Sequence, residues 1–317
     1  MKKRIISVLL ATVFALSVIG CGTKDTKEQD AYRQYGITCM ESGKYEDAVK
    51  AFQNALGESI GHIGEKELDI CFYKAKAQAL DGKTKDALAT YDAIIKYNKD
   101  ARAYYLRGDL YMDMGEEKEG RADFESAVQQ GKKNYEIYIG IYESLSRHEK
   151  KDEGQKYLSA AMEIKGDKPE DELYKGRISY LLGENKDAIS YLEKAKEHKQ
   201  MLASYYLGLA YDANGDSDKA KKCIAEYIKS GVATSYDLYE LGMQEMQDGN
   251  YKNALTYFNS GLELEKVPNK QNLMKSAIAA YEYSGDFDSA KKMIKEYLKA
   301  YPDDEEAKHE NTFLETR

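Results

Sequence analysis

Tryptophan is absent from the 317-residue chain, proline occurs only three times and histidine four times. Scarce proline removes the strongest breaker of helix interiors, and 32% charged residues suit helices with one wet face, so a mostly helical protein is expected. The four histidines, His62, His148, His198 and His309, are scattered, and none has a second His or a Cys at metal-ligand spacing. Neither a phosphate-cradling G-x-x-x-x-G-K-[ST] nor a nucleophile-elbow G-x-S-x-G occurs. No metal, cofactor or catalytic constellation is therefore expected, and the chain reads as a non-enzyme. A positive excess is lacking too: 47 Lys and Arg stand against 55 Asp and Glu, for a net charge of -8. With no basic cluster, the chain has no footprint for nucleic-acid phosphates. Long apolar runs are missing except for one at the N-terminus, Ile5 to Ile19, which falls short of the ~20 residues of a membrane span.

That run follows Lys2-Lys3-Arg4 and has the layout of a secretory signal peptide over residues 1–20. It ends in Val18-Ile19-Gly20-Cys21, which resembles the lipobox of bacterial lipoproteins. The resemblance implies cleavage before Cys21, a diacylglyceryl group on its sulfur and, in many species, further N-acylation such as a palmitate. Two or more acyl chains anchor stably where one is marginal, at about 0.8 kcal/mol per buried methylene. Gly22 follows, with no aspartate to retain the protein in an inner membrane. The expected place is the outer face of the cytoplasmic membrane, or an outer membrane if the organism has two. Residues 21–28, the lipidated Cys and "GTKDTKE", form the tether. The remaining cysteines, Cys39, Cys71 and Cys223, are odd in number and irregularly spaced, so they are expected as small apolar packing residues.

From residue 29 the chain repeats. "ESGKYEDAVKAFQNAL" (41–56), "LDGKTKDALATYDAII" (80–95), "LLGENKDAISYLEKAK" (181–196), "ANGDSDKAKKCIAEYI" (213–228), "QDGNYKNALTYFNSGL" (247–262) and "YSGDFDSAKKMIKEYL" (283–298) share one spacing of glycine, small and large apolar residues. "DMGEEKEGRADFESAV" (113–128) fits as well, and "HEKKDEGQKYLSAAME" (148–163) is a degenerate copy without the turn glycine. A second glycine recurs upstream at Gly36, Gly108, Gly140, Gly176, Gly208 and Gly242, with Ala75 and Ile278 in the other two copies, at intervals of roughly 34 residues. A mid-helix glycine costs about 1 kcal/mol against alanine, so its recurrence predicts close helix approach. Large residues such as Phe52, Phe124 and Phe258 are expected to fill the space between units.

This pattern resembles the tetratricopeptide repeat (TPR), with two antiparallel helices per unit. The resemblance implies an all-α, right-handed α-solenoid of about eight units over residues 29–301. The polar segment 302–317 is expected to be a capping helix, because the last unit of a solenoid has no neighbour.

The resemblance also implies a concave face lined by the first helix of each unit. On that face, helical spacing places Phe72, Tyr105, Tyr205 and Tyr239 at one repeat position, with Tyr236, Met243 and Tyr180 beside them. Tyrosine offers large contact area with a polar tip, so these seven are the candidate groove for a protein or extended peptide. The same rings could instead only pack between neighbouring helices. Tyr32, Tyr104, Tyr111, Tyr211 and Tyr281, on the inward face, are expected in the core. The carboxylate-clamp mode of the family needs Lys and Asn at fixed positions. Here the pairs read Arg33 with Ile37, Tyr105 with Asp109 and Lys275 with Ala279, so that mode is not expected.

One further motif asks for a decision. "DANGDSD" (212–218) places Asp212, Asn214, Asp216 and Asp218 on alternate positions, like the start of an EF-hand loop. Such a loop wants glycine sixth and a bidentate acid twelfth, where this chain has Ser217 and Cys223. Gly215 instead lies in register with the turn glycines, and the stretch reads as a helix–turn–helix corner. The sequence thus points to a membrane-anchored, extracytoplasmic scaffold or adaptor for proteins. The alternative is an envelope lipoprotein that binds a small ligand, peptide or glycan.

Overall fold

The computed structural model describes residues 24–59, 63–166 and 168–317. The signal peptide, Cys21 and the start of the tether lie outside the described residues. Seventeen α-helices and no strand occur among those described. They pair as α1 (Lys24–Glu41) with α2 (Tyr45–Gly57), α3 (Glu65–Leu80) with α4 (Thr84–Asn98), α5 (Ala101–Asp113) with α6 (Glu117–Gln130), and α7 (Tyr135–Arg147) with α8 (Lys151–Met162). The series continues with α9 (Pro169–Leu182) and α10 (Asn185–Glu197), α11 (Leu202–Ala213) and α12 (Ser217–Lys229), α13 (Ser235–Gln247) and α14 (Tyr251–Leu262), and α15 (Lys270–Tyr283) and α16 (Phe287–Ala300). The eight hairpins end in α17 (Glu305–Glu315). The first helix begins ahead of residue 29 because nothing after Gly22 breaks it.

Within each unit the two helices close on a small residue. An added Cβ on Gly242 would lie 2.3 Å from the ring of Phe258, and one on Gly36 would lie 2.6 Å from Phe52. Phe52, Phe124 and Phe258 therefore sit on the glycine of their own unit and also pack against the next unit, as the spacing suggested, for example Phe52 on Tyr73 at 5.7 Å. The fourth unit differs: Gly140 receives the ring of Tyr105 from the preceding unit, 2.6 Å from an added Cβ. Apolar clusters then run from unit to unit, for example Leu192 of α10 and Ala203 and Leu207 of α11.

First helices also touch first helices (α1 with α3, α5 with α7, α9 with α11, α13 with α15), whereas second helices splay apart. The odd-numbered helices consequently form the inner face of a curved array, an all-α solenoid. One boundary is different. The backbones of α12 and α13 keep further apart than at any other junction between units. Side chains bridge them: Ile224, Leu238 and Leu241 form a small cluster with Tyr205, and the Tyr227 hydroxyl donates to Asp237 at 2.6 Å.

The turn glycines hold φ of 70 to 85°, the left-handed region that ends a helix, and each faces open space. In the degenerate fourth unit Glu149 adopts the same conformation at φ 61°. Asp216 caps α12 by accepting from the Lys219 amide at 3.4 Å, and Asp212 accepts the Ser217 hydroxyl at 3.3 Å. The acidic corner of "DANGDSD" is thus engaged in turn and cap contacts. Asp286 caps α16 in the same way, while Asn250 makes no side-chain cap.

The last helix docks through Leu314 and Ala307, and Asp304 at its N-terminus accepts the Tyr297 hydroxyl at 2.5 Å and pairs with Lys275 at 2.8 Å. Lys275, then Tyr297, hold the Asp304 carboxyl well below the usual range. The other end of the interface works oppositely. Burial, then the neighbouring Glu310 of α17, push Glu282 of α15 up to about 7.

Two outcomes are expected. Glu149→Gly relieves a left-handed non-glycine residue and raises stability by about 1 kcal/mol, read as a higher Tm; an unchanged Tm contradicts it. The second concerns pH. A carboxyl whose folded pKa is raised stabilises fully below its ordinary value and loses that contribution as pH rises through the folded value. Stability should therefore fall between about pH 4.5 and 7 on account of Glu282. Glu282→Gln should flatten that fall in melting curves at pH 5 and 8, and equal slopes for both proteins would refute the assignment.

Candidate interaction surface

Neighbouring first helices are stitched together on the inner face by ion pairs. Arg33 of α1 meets Asp69 of α3 at 2.6 Å, and Arg147 of α7 meets Asp109 of α5. Arg177 of α9 reaches back to α7, 2.9 Å from Glu143 and 3.3 Å from Glu136, with its guanidinium over the ring of Tyr206 on α11. It is only 5% exposed. Burial pushes the Glu143 carboxyl up, against the pull of Arg177, and does the same to Asp109 against Arg147. Arg102 of α5 carries no such pair among the described residues and stacks on Phe72, 3.6 Å from its centroid.

The seven candidate residues separate into two groups. Phe72 is 7% exposed, covered by Arg102 and facing Tyr91. Tyr105 is 6% exposed, wedged on Gly140, and its hydroxyl has no hydrogen-bond partner among the described residues. Both are packing residues as the chain stands and drop out of the contact set, because close packing of α5 on α7 and of Arg102 over α3 seals them. Tyr180, Tyr205, Tyr236, Tyr239 and Met243 are half-buried, each presenting part of its surface. They come from α9, α11 and α13, so the accessible portion lies in units five to seven. Tyr239 leans on Phe258, Tyr205 lies edge-on to Tyr206, and the Met243 sulfur accepts the Ser276 hydroxyl. Burial raises the pKa of Tyr205 far above 10, with the charges of Asp237 and Glu240 adding to it. Among the tyrosines expected in the core, Tyr211 is buried, Tyr104, Tyr111 and Tyr281 are only half-buried, and Tyr32 is 37% exposed.

Two features escaped the sequence reading. Tyr236 is perturbed, after its own burial, by Glu41 and Tyr45 at the turn of the first unit. Glu240, one helical turn beyond Tyr236, has no hydrogen bond or ion pair among the described residues. Its spacing from Tyr236 was legible, but its lack of a partner was not.

Family models of the tetratricopeptide repeat match residues 36–95 and 74–135, and a second such model matches 202–230 and 271–304. The chain carries tetratricopeptide repeats. The matches cover the first three units, the sixth and the eighth; the others are TPR-like hairpins by the geometry above. Among solved structures it is similar to a tetratricopeptide repeat protein from Parabacteroides merdae, with 11% identity, TM-score 0.47, and coverage of 80% of this chain and 99% of that one. It is also similar to the Cut9–Hcn1 APC/C hetero-tetramer, with 16% identity, TM-score 0.44, and coverage of 91% and 56%. A third is PilW, a type IV pilus biogenesis factor, with 18% identity, TM-score 0.44, and coverage of 66% and 97%. No curated protein matches the chain.

The ion pairs of this TPR array differ in weight. Removing one partner of a buried pair leaves an uncompensated charge and costs about 3–5 kcal/mol, against about 1 or less for an exposed pair. In urea unfolding Arg177→Ala should destabilise by the larger amount and Arg33→Ala by the smaller. Equal losses would contradict the burial contrast.

Proposed function

We propose that this TPR protein is a membrane-anchored, extracytoplasmic scaffold or adaptor that holds a protein or extended peptide against its inner face. The observation that carries the reading is the half-buried set of Tyr180, Tyr205, Tyr236, Tyr239 and Met243 on one side of the array. Rings with two side-chain torsions give large contact area at low entropic cost, and aromatics and Met are enriched at interfaces. TPR arrays generally bind protein partners. The anchor rests on the leader and on Val18-Ile19-Gly20-Cys21, which support lipidation of Cys21 and export to the outer face of a membrane. No helix among the described residues is long and apolar enough to cross a membrane.

The test is crosslinking and affinity capture from envelope extracts, comparing the natural chain with Tyr205→Ala/Tyr236→Ala/Tyr239→Ala and with Cys21→Ala. The triple variant should stay folded by circular dichroism and lose its specific partner. The Cys21→Ala protein should leave the membrane fraction but keep that partner when purified. A triple variant that captures the same partner equally well removes the tyrosine face from the reading.

A further inference from the structure

One joint of the array is built differently from the rest. Elsewhere the second helix of a unit packs on the first helix of the next: α2 on α3, α4 on α5, α6 on α7, α8 on α9, α10 on α11 and α14 on α15. Between units six and seven neither α12 nor α11 interlocks with α13. The apolar cluster that spans this joint is the smallest among the described residues, with Ile224, Leu238 and Leu241 as its buried members. The connection passes through Gly231, at φ 75° and facing open space, to Val232, which is 48% exposed. A glycine with nothing packed on it offers little resistance to rotation of its backbone.

One side chain accounts for the gap. Counted from the recurrent glycines Gly36, Gly108, Gly176 and Gly242, one slot on the second helix holds Ala55, Ala127, Ala195 and Gly261. The three alanines are fully buried, and a Cβ added to Gly261 would lie 3.1 Å from Leu273 of the next unit. This slot abuts the next first helix and is kept small there. Counted from Gly208 it holds Tyr227, which is 1% exposed. A buried ring in place of a methyl group keeps α13 off α12, because a close-packed interior has no spare room for it. The same side chain supplies a tie that alanine lacks. Its hydroxyl donates to Asp237 Oδ2 at 2.6 Å, the oxygen that also accepts the Thr234 amide at 2.8 Å and the Thr234 hydroxyl at 2.6 Å. Thr234 and Asp237 form the capping box of α13, so the bond fastens the end of α12 to the start of α13. Tyr297 fills the slot in the last unit and makes the same bond to Asp304 at 2.5 Å, but α16 and α17 are also interlocked there.

We propose that the α12–α13 junction is a hinge between two blocks, α1–α12 and α13–α17, with Tyr227 as its spacer and the Tyr227–Asp237 bond as its latch. The inference does not depend on the identity of any partner. Hinges are a few residues at element ends that absorb backbone rotation while the packed blocks move as units. Ser230 to Thr234 are those residues here. A single hydrogen bond favours the latched arrangement without forbidding the open one. Tyr205 of α11 packs on Tyr227 with ring centroids 5.3 Å apart, whereas Tyr236 and Tyr239 belong to α13. Opening the hinge therefore changes the distance between the inner-face ring of one block and those of the other.

Double electron–electron resonance on the full chain in non-ionic detergent micelles tests the proposal, with spin labels carried on a genetically encoded ketone residue so that the cysteines stay untouched. Lys118, Lys186 and Lys252 are exposed and hold the same repeat position on α6, α10 and α14. Labels at 118 and 186 lie within one block, and labels at 186 and 252 lie across the hinge at the same separation in units. The distance distribution should be wider across the hinge than within the block. Tyr227→Phe keeps the spacer and removes the latch, so it should widen the distribution across the hinge and leave the other unchanged. Asp237→Asn, which weakens the same bond from α13, should act in the same direction. Tyr297→Phe, which removes the corresponding bond at α17, should alter neither. Equal widths for the two pairs in the natural chain overturn the hinge. A width across the hinge that responds to neither Tyr227→Phe nor Asp237→Asn, with both variants folded by circular dichroism, overturns the latch and the proposal with it.

Discussion

The structure depends on how closely two helices can approach. In most units a large side chain of the second helix sits on a glycine of the first, and the space there admits no additional carbon. Everything else follows from that spacing. The hairpin becomes thin enough to stack, its two outer faces become apolar enough to need neighbours, and the first helices converge while the second splay. Curvature, and with it an inner face, is a result of side-chain size and not of any residue placed on the inner face itself. The fourth unit illustrates the point, since its glycine accepts the Tyr105 ring from the preceding unit and still keeps the register.

The inner face is built from charge and rings in different proportions along its length. Between α5 and α9 it is closed by buried ion pairs, and the tyrosine available there is used for packing. Between α11 and α13 the backbones stand apart, Tyr227 and Asp237 bridge the gap, and the rings retain free surface. The part of the array with the least backbone contact is therefore one where inner-face rings keep free surface. Free aromatic surface and internal cohesion compete for the same side chains.

Fold and register were legible because glycine and alanine at fixed intervals have few other uses. The turn at Glu149 was legible as a missing glycine, and the backbone there keeps the left-handed conformation without it. Membership of the groove was only partly legible. Helical spacing gave Phe72 and Tyr239 the same repeat position, but one is covered by Arg102 and the other is half free. Whether a ring is capped depends on a residue of the next unit, and a pattern within one unit does not contain that information.

The wide junction between α12 and α13 has a mechanical meaning. In a one-dimensional stack, cohesion is a chain of nearest-neighbour couplings, and the weakest link decides where the stack parts under load. Here that link is made of side-chain ends and one phenol–carboxylate contact, not of interlocked backbones. The half-buried tyrosines of α11 and α13 lie across that link, so the least interlocked joint of the array is also flanked by rings with free surface.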